Sequence, residues 1–195
     1  MWGQALVSVA AWGMLAYWTT RATRITRTHL LLCVAYATAG EIFLSLVWGL
    51  YDYRLGNIPF CVPPGHALLF VLGVILAESL PDWITIAVPV AAAPLIAGLA
   101  WTGSDTLGPP LFALLLVSMA LSKARKLYAV MFLLALAMEL YGTALGNWRW
   151  NAHVPWLGLQ TLNPPVAAGA FYCVLDFLVV STASLLGKRV PATAN

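Results

Sequence analysis

An all-α, polytopic membrane fold is what the sequence predicts, and three observations predict it. Of 195 residues, 62% are hydrophobic and only 9% charged, where soluble domains carry about 25% charged residues, and mean hydropathy is +0.86. Apolar runs follow one another along the chain at the length a membrane helix needs, about 20 residues with a range of about 17–25. Eight of the ten Lys and Arg gather at alternate ends of the runs. With the runs set aside, no long charged or Gly/Ser-rich stretch remains, so a single membrane domain over residues 1–195 is expected.

Seven spans are predicted. The first, Gly3 to Thr20, is followed rather than preceded by positive charge, the reverse of a cleavable signal peptide. Next come Leu30 to Leu50 and Pro64 to Leu80. The fourth, Trp83 to Trp101, has Asp82 before it, placed to cap its free amides. The fifth, Leu107 to Ser122, is short and begins about the Gly108-Pro109-Pro110 turn. Leu127 to Gly146 and Pro164 to Gly187 complete the set, the last opening on a Pro-Pro pair. Seven spans put Arg21, Arg24, Arg27, Lys123, Arg125, Lys126, Lys188 and Arg189 on one side and only Arg54 and Arg149 on the other. The positive-inside rule then sets the N-terminus outside and the C-terminus in the cytoplasm.

The halves share a pattern. Glu41 is followed by Gly49-Leu50-Tyr51-Asp52-Tyr53, Pro63-Pro64 and Glu78; Glu139 is followed by Gly146-Asn147-Trp148-Arg149-Trp150, Pro164-Pro165 and Asp176. Both acid-to-acid separations are 37 residues. This predicts a three-span unit used twice, over about 3–80 and 107–187, joined by a linker helix at about 83–101. Four spans precede the fifth, so the repeats are parallel in a 3+1+3 layout.

Chemistry is sought at the seven acids, since an ionisable group within a span is a functional-site candidate by default. Asp52 and Asp105 fall in outer loops, Asp82 is a cap, and Glu78 lies near a span end from which it can snorkel. Glu41, Glu139 and Asp176 remain as candidate catalytic acids. At 1.5 Å per residue Asp176 would sit about 18 Å below Pro164, near mid-membrane, with Tyr172, Cys173 and Gly169 on its face. Glu139 shares a face with Gly142, Thr143 and Gly146, and Glu41 with Ser45 and Trp48. Tyr51, Tyr53, Trp148 and Trp150, alternating with polar groups such as Asn147, are read as a lid over a substrate pocket that also takes in Trp48 and Tyr172; an interfacial aromatic belt is the competing reading.

Several classes are excluded. Cys33, Cys61 and Cys173 have neither zinc nor redox spacing, and His29, His66 and His153 form no helical ligand pair, so no metal and no cofactor is expected. A nucleophilic-elbow hydrolase lacks its Gly-x-Ser-x-Gly turn, and a nucleic-acid partner lacks a sustained basic face.

A carboxylic acid in a dry pocket can protonate an olefin or epoxide, ring faces can stabilise the resulting carbocation, and a second carboxylate can take a proton back. In size, span number and its acids Glu41 and Asp176, the chain resembles the integral-membrane terpene cyclases that fold prenylated aromatic or indole compounds into meroterpenoids and indole diterpenes. The resemblance implies metal-independent cyclisation of a hydrophobic prenylated small molecule, with Glu41 and Asp176 as proton donor and acceptor. Three-span units also resemble those of membrane lycopene cyclases, without their proline-acid motif. Two other readings stand beside it. One is a small-solute or proton-coupled transporter of 3+1+3 layout, against which the first, second and sixth spans contain no hinge proline. The other is a binding or assembly protein whose acids only lock helices.

Overall fold

The computed structural model describes residues 2–21 and 27–189. Arg24 lies outside the described residues, as do the side chains of Lys188 and Arg189. Seven α-helices account for most of the chain: α1 Trp2–Arg21, α2 Arg27–Glu41, α3 Val62–Ser79, α4 Ile84–Trp101, α5 Gly108–Leu121, α6 Arg125–Ala144 and α7 Gly169–Arg189. Beyond Glu41, α2 continues as a π-helical segment, Ile42–Val47. Two short strands, β1 Tyr51–Tyr53 and β2 Trp148–Trp150, pair antiparallel. They are an addition to the all-α expectation, made by two loops that close on each other.

Five helical stretches are long and apolar enough to cross a membrane: Arg27–Val47, Val62–Ser79, Ile84–Trp101, Arg125–Ala144 and Gly169–Gly187. Helix α5 is apolar but shorter at 14 residues, whereas α1 has 20 residues diluted by Gln4, its Trp residues and its Thr pair. Large side chains stand outward all around the bundle, among them Leu31 at 68% exposure, Ile86 at 70% and Val90 at 65%. An apolar surface this extensive is that of a membrane protein, since soluble monomers rarely expose patches beyond a few hundred Å².

At the centre α2, α3, α6 and α7 form a ring in which α2 and α6 each pack against both α3 and α7. Outside it, α1 lies on α3, α5 lies on α7, and α4 packs against α5 and α6. The fully buried Tyr128, Phe70, Phe132, Leu30 and Met131 fill the ring. Proline opens α3 and α5 at the first turn, where its missing N–H costs nothing.

Two expectations change. The last helix starts at Gly169, not at Pro164: the preceding turn is held by Val166 N–H donating to Asp105 Oδ2 (3.2 Å) and Trp150 N–H donating to Asn163 Oδ1 (2.9 Å). Asp176 therefore sits two turns into its helix, at about 10 Å rather than about 18 Å. The Asp82 carboxylate does not cap α4. It accepts from Lys126 Nζ at 2.7 Å, as the Leu80 carbonyl does at 2.9 Å, because α6 begins within reach of the α3–α4 loop. That ammonium holds the Asp82 carboxyl below the usual carboxylate range. The pair is exposed, so it sets register more than stability.

Asp105 is buried and ties the start of α5 to the lead into α7. Its Oδ1 accepts from Gly108 N–H at 3.0 Å, at the start of α5, while its Oδ2 holds the lead into α7. Burial nonetheless pushes its carboxyl up. Asp105→Ala leaves two amide donors unmatched and is expected to cost about 1–3 kcal/mol. Asp105→Asn, which keeps one acceptor, costs less. Thermal unfolding of the detergent-solubilised variants checks the order, and equal losses for Ala and Asn would refute it.

Candidate functional site

The strand pair is where the fold meets the acids. Its register sets Tyr51 opposite Trp150, Asp52 opposite Arg149 and Tyr53 opposite Trp148. Side chains alternate across a strand, so the four rings share one face and point into the helix ring, while Asp52 and Arg149 stand exposed on the other. Arg54 N–H to the Asn147 carbonyl and Asn151 N–H to the Leu50 carbonyl, both 2.9 Å, extend the ladder. Trp150 leans on Tyr51 at 4.9 Å between centroids.

Beneath the rings lie two carboxylates. Glu41 Oε2 accepts the hydroxyls of Tyr51 at 2.8 Å and Tyr53 at 2.7 Å, and its Oε1 meets His66 Nε2 at 3.1 Å. Glu139 Oε2 accepts the indole N–H groups of Trp148 at 2.7 Å and Trp150 at 2.9 Å; Oε1 makes neither bond. Each acid is thus served by the strand that follows its own helix. Burial and the adjoining Glu41 carboxylate push the Tyr51 and Tyr53 phenols far above the normal range. They stay protonated near neutral pH and donate to Glu41.

The π-helical segment accounts for the spacing. Ten residues separate Glu41 from Tyr51 and nine separate Glu139 from Trp148. Widening the helix absorbs the extra residue without moving the strand off its carboxylate; such segments often mark functional sites. It also breaks the i+7 relation assumed for Trp48. That indole turns away from Glu41, donates to the Pro155 carbonyl at 2.9 Å and stacks on Trp156.

Two cavities flank the acids. One of about 350 Å³ lies between α2 and α7, and another of about 290 Å³ lies between α3 and α6; Glu41, Tyr51, His66, Glu139 and Tyr172 line both. Tyr53, Trp148 and Asn147 line the second and reach a third, outer cavity of about 520 Å³ beside Gln4, Arg54 and Asn57. Both inner cavities fall at or near the lower end of small-molecule pockets, about 300–1,000 Å³.

Of the residues singled out from sequence, the structure gathers Glu41, Glu139, Tyr51, Tyr53, Trp148, Trp150, Asn147 and Tyr172. It does not bring Asp176 or Trp48 to either cavity. Asp176 is buried away from both cavities near Cys33 on α2, Cys173 on α7 and Tyr128 on α6, and neither of its oxygens has a partner among the described residues. Glu78 is exposed near the end of α3. His66 is the residue that sequence reasoning missed. It stacks on Tyr172 at 4.7 Å and faces Glu41. The signal was its position one turn into the Pro-initiated helix that follows the aromatic strand. Among the described residues, no group of three His, Cys, Asp or Glu side chains is placed to hold a metal ion.

Gly142 explains how Trp148 reaches its acid. A Cβ there would run into the Trp148 ring, so the indole lies flat against a bare patch of α6, one turn beyond Glu139. In Gly142→Ala the ring must move and its bond to Glu139 is lost. The Trp148 indole N–H resonance, assigned by Trp148→Phe, is expected to shift markedly while that of Trp150 stays close to its original position. An unmoved Trp148 signal would show that the patch does not set the ring.

No protein-family model, no curated protein and no solved structure matches this chain.

Proposed function

We propose that the chain is a membrane-embedded cyclase that protonates an olefin or epoxide of a prenylated hydrophobic substrate, without a metal, and that Glu139 and Glu41 are its acid pair. The observation that carries this reading is the placement of two buried carboxylates from different helices on one shared cavity wall. Apart from them, His66 and Asn147, the walls are apolar or aromatic.

The hydrogen bonds divide the labour. Glu41 is supplied on both oxygens, by two phenols and the histidine, which is the donor set of a proton acceptor. Glu139 takes both indole N–H groups on Oε2 and has the Tyr172 hydroxyl beside it, and Oε1 is assigned the proton delivered to substrate. Indoles only donate, so they cannot compete for that proton. Tyr51, Tyr53, Trp148, Trp150 and Tyr172 present ring faces to a carbocation formed between the acids, each worth about 0.5–2 kcal/mol. As the carbocation loses a proton to Glu41, the new double bond forms and no oxidant or co-substrate is required.

The same reading takes the chain as seven spans in a parallel 3+1+3 repeat with its N-terminus outside. Supporting it, α1 meets α3 as α5 meets α7, the central ring takes two helices from each unit, and β1 and β2 are served to the acids in the same way. Arg21, Arg27, Arg125 and Lys126 fall at the ends of α1, α2 and α6 remote from the strand pair.

Membranes containing the protein, incubated with farnesylated and geranylgeranylated indoles and phenols in EDTA, provide the test. A product of unchanged mass and altered retention is the expected result. Substrates returned intact across the panel, together with proton-driven solute uptake in proteoliposomes, would replace the cyclase with a carrier.

A further inference from the structure

The cavity between α2 and α7 differs from the other two in where it opens. Its outer wall is made of Ala39, Gly40 and Phe43 on α2 and of Val174 and Leu178 on α7. Phe43 is 46% exposed and Leu178 41%, on the apolar flank of two helices long enough to cross a membrane. Below, Tyr36 Oη and Thr182 Oγ1 join the helices at 2.9 Å and close the gap. The opening therefore faces the hydrocarbon and is bounded towards the basic end of the bundle.

Gly40 keeps this gap open. It lies within regular helix, so no backbone demand calls for glycine, and a Cβ built on it meets nothing within 4 Å. Its neighbour Glu41 is the first polar group inside. A second observation points to a ligand there: His66, a residue of the shared wall whose side chain is about nine-tenths buried, has its Nδ1 buried and without a partner among the described residues. With Nε2–H directed at the Glu41 carboxylate, Nδ1 is an acceptor. It is suited to an O–H or N–H on the bound molecule, whose arrival removes the cost of an unmatched buried acceptor.

We propose that the slot between α2 and α7 is the entrance through which substrate arrives from the bilayer and the seat of its apolar chain, with the head group's O–H or N–H bonded to His66 Nδ1. This rests on the acid-pair reading above and specifies its substrate class: a membrane-dissolved isoprenoid phenol or indole, in place of a solute taken from water. An entrance in the hydrocarbon requires no open passage through the aromatic strand pair, which stays closed over the acids and keeps water from the cation.

The test is photo-crosslinking in nanodiscs with a geranylgeranyl phenol bearing a diazirine on its chain, mapped by peptide mass spectrometry. The labelling counted is the part removed by excess non-photoactive geranylgeranyl phenol. Adducts are expected on residues 39–44 and 171–178, falling about tenfold in Gly40→Trp and in Leu178→Trp. The two variants close the slot from opposite walls, and Leu178 is on the exposed surface, where a larger ring does not disturb the core. O-methylation of the probe's phenol weakens competition in the wild type and not in His66→Phe. Adducts confined to α3, α6 or the outer cavity, labelling unchanged in both Trp variants, or no competed labelling would overturn the proposal. Should the slot be labelled and blocked as expected while no prenylated compound is turned over, the entrance stands and the cyclase reading falls.

Discussion

Glu139→Gln is expected to lower turnover by about 10²- to 10⁴-fold, the range for a general acid in a proton-transfer step, with little change in thermal stability. The amide oxygen can replace Oε2 and still accept Trp148 and Trp150, so the strand pair stays docked. What disappears is the oxygen that carries the proton. Glu41→Gln should produce a comparable loss for a different reason: the phenols of Tyr51 and Tyr53 retain an acceptor, but the site no longer holds a base. Asp176→Asn, by contrast, should keep most of the activity, since that side chain lines neither cavity. Turnover of a prenylated phenol, measured at matched expression with melting curves alongside, separates the three. Full activity in Glu139→Gln, or its collapse only in Asp176→Asn, would refute the assignment of the pair.

Gly169→Leu should be the most damaging substitution outside the acids. At the first residue of α7 a Cβ would lie 2.5 Å from the Phe132 carbonyl oxygen and 2.9 Å from its Cα, so the obstacle is backbone. A side-chain tip can rotate away; a helix must translate. Overpacking of this kind costs about 1–3 kcal/mol even where side chains can yield, and here the displaced pair is α6 with α7, which carry Glu139 and Tyr172. Gly169→Ala should lower the unfolding temperature of the solubilised protein clearly, and Gly169→Leu should prevent recovery of folded protein. Gly73→Ala is the control. Its obstruction is the Met131 thioether, a flexible side chain, and a small effect is expected there. Equal tolerance of Ala at both positions would show that α6 and α7 have room to part.

The acid-to-strand arithmetic was visible in the chain, and so was the alternation of Tyr51-Asp52-Tyr53 and Trp148-Arg149-Trp150. Read singly, each segment is an interfacial aromatic loop, because three residues form no stable strand alone. Only the other segment, 97 residues away between Asp52 and Arg149, makes it one. His66, considered only as a metal ligand, was set aside for the same reason: a lone histidine in an apolar helix carries no pattern, and Glu41 is 25 residues distant. Trp48 was misplaced by a local event, since a period of 3.6 was assumed across a segment that widens into a π-helix.

The membrane character of the protein, the helical runs with their approximate bounds and the identity of the unusual acids were determined by the sequence alone. These follow from hydropathy and composition, which add along neighbouring residues and need no partner. Which acid faces which was decided only by the tertiary structure. Asp176 and Glu139 are equally costly to bury wherever they lie, so burial could not rank them. The ranking came from the ring of α2, α3, α6 and α7, whose packing turns Glu139 towards Glu41 and the aromatic strands and leaves Asp176 behind them. Hydrogen-bond geometry acts over about 3 Å, and residues far apart in the chain reach that distance only through the fold.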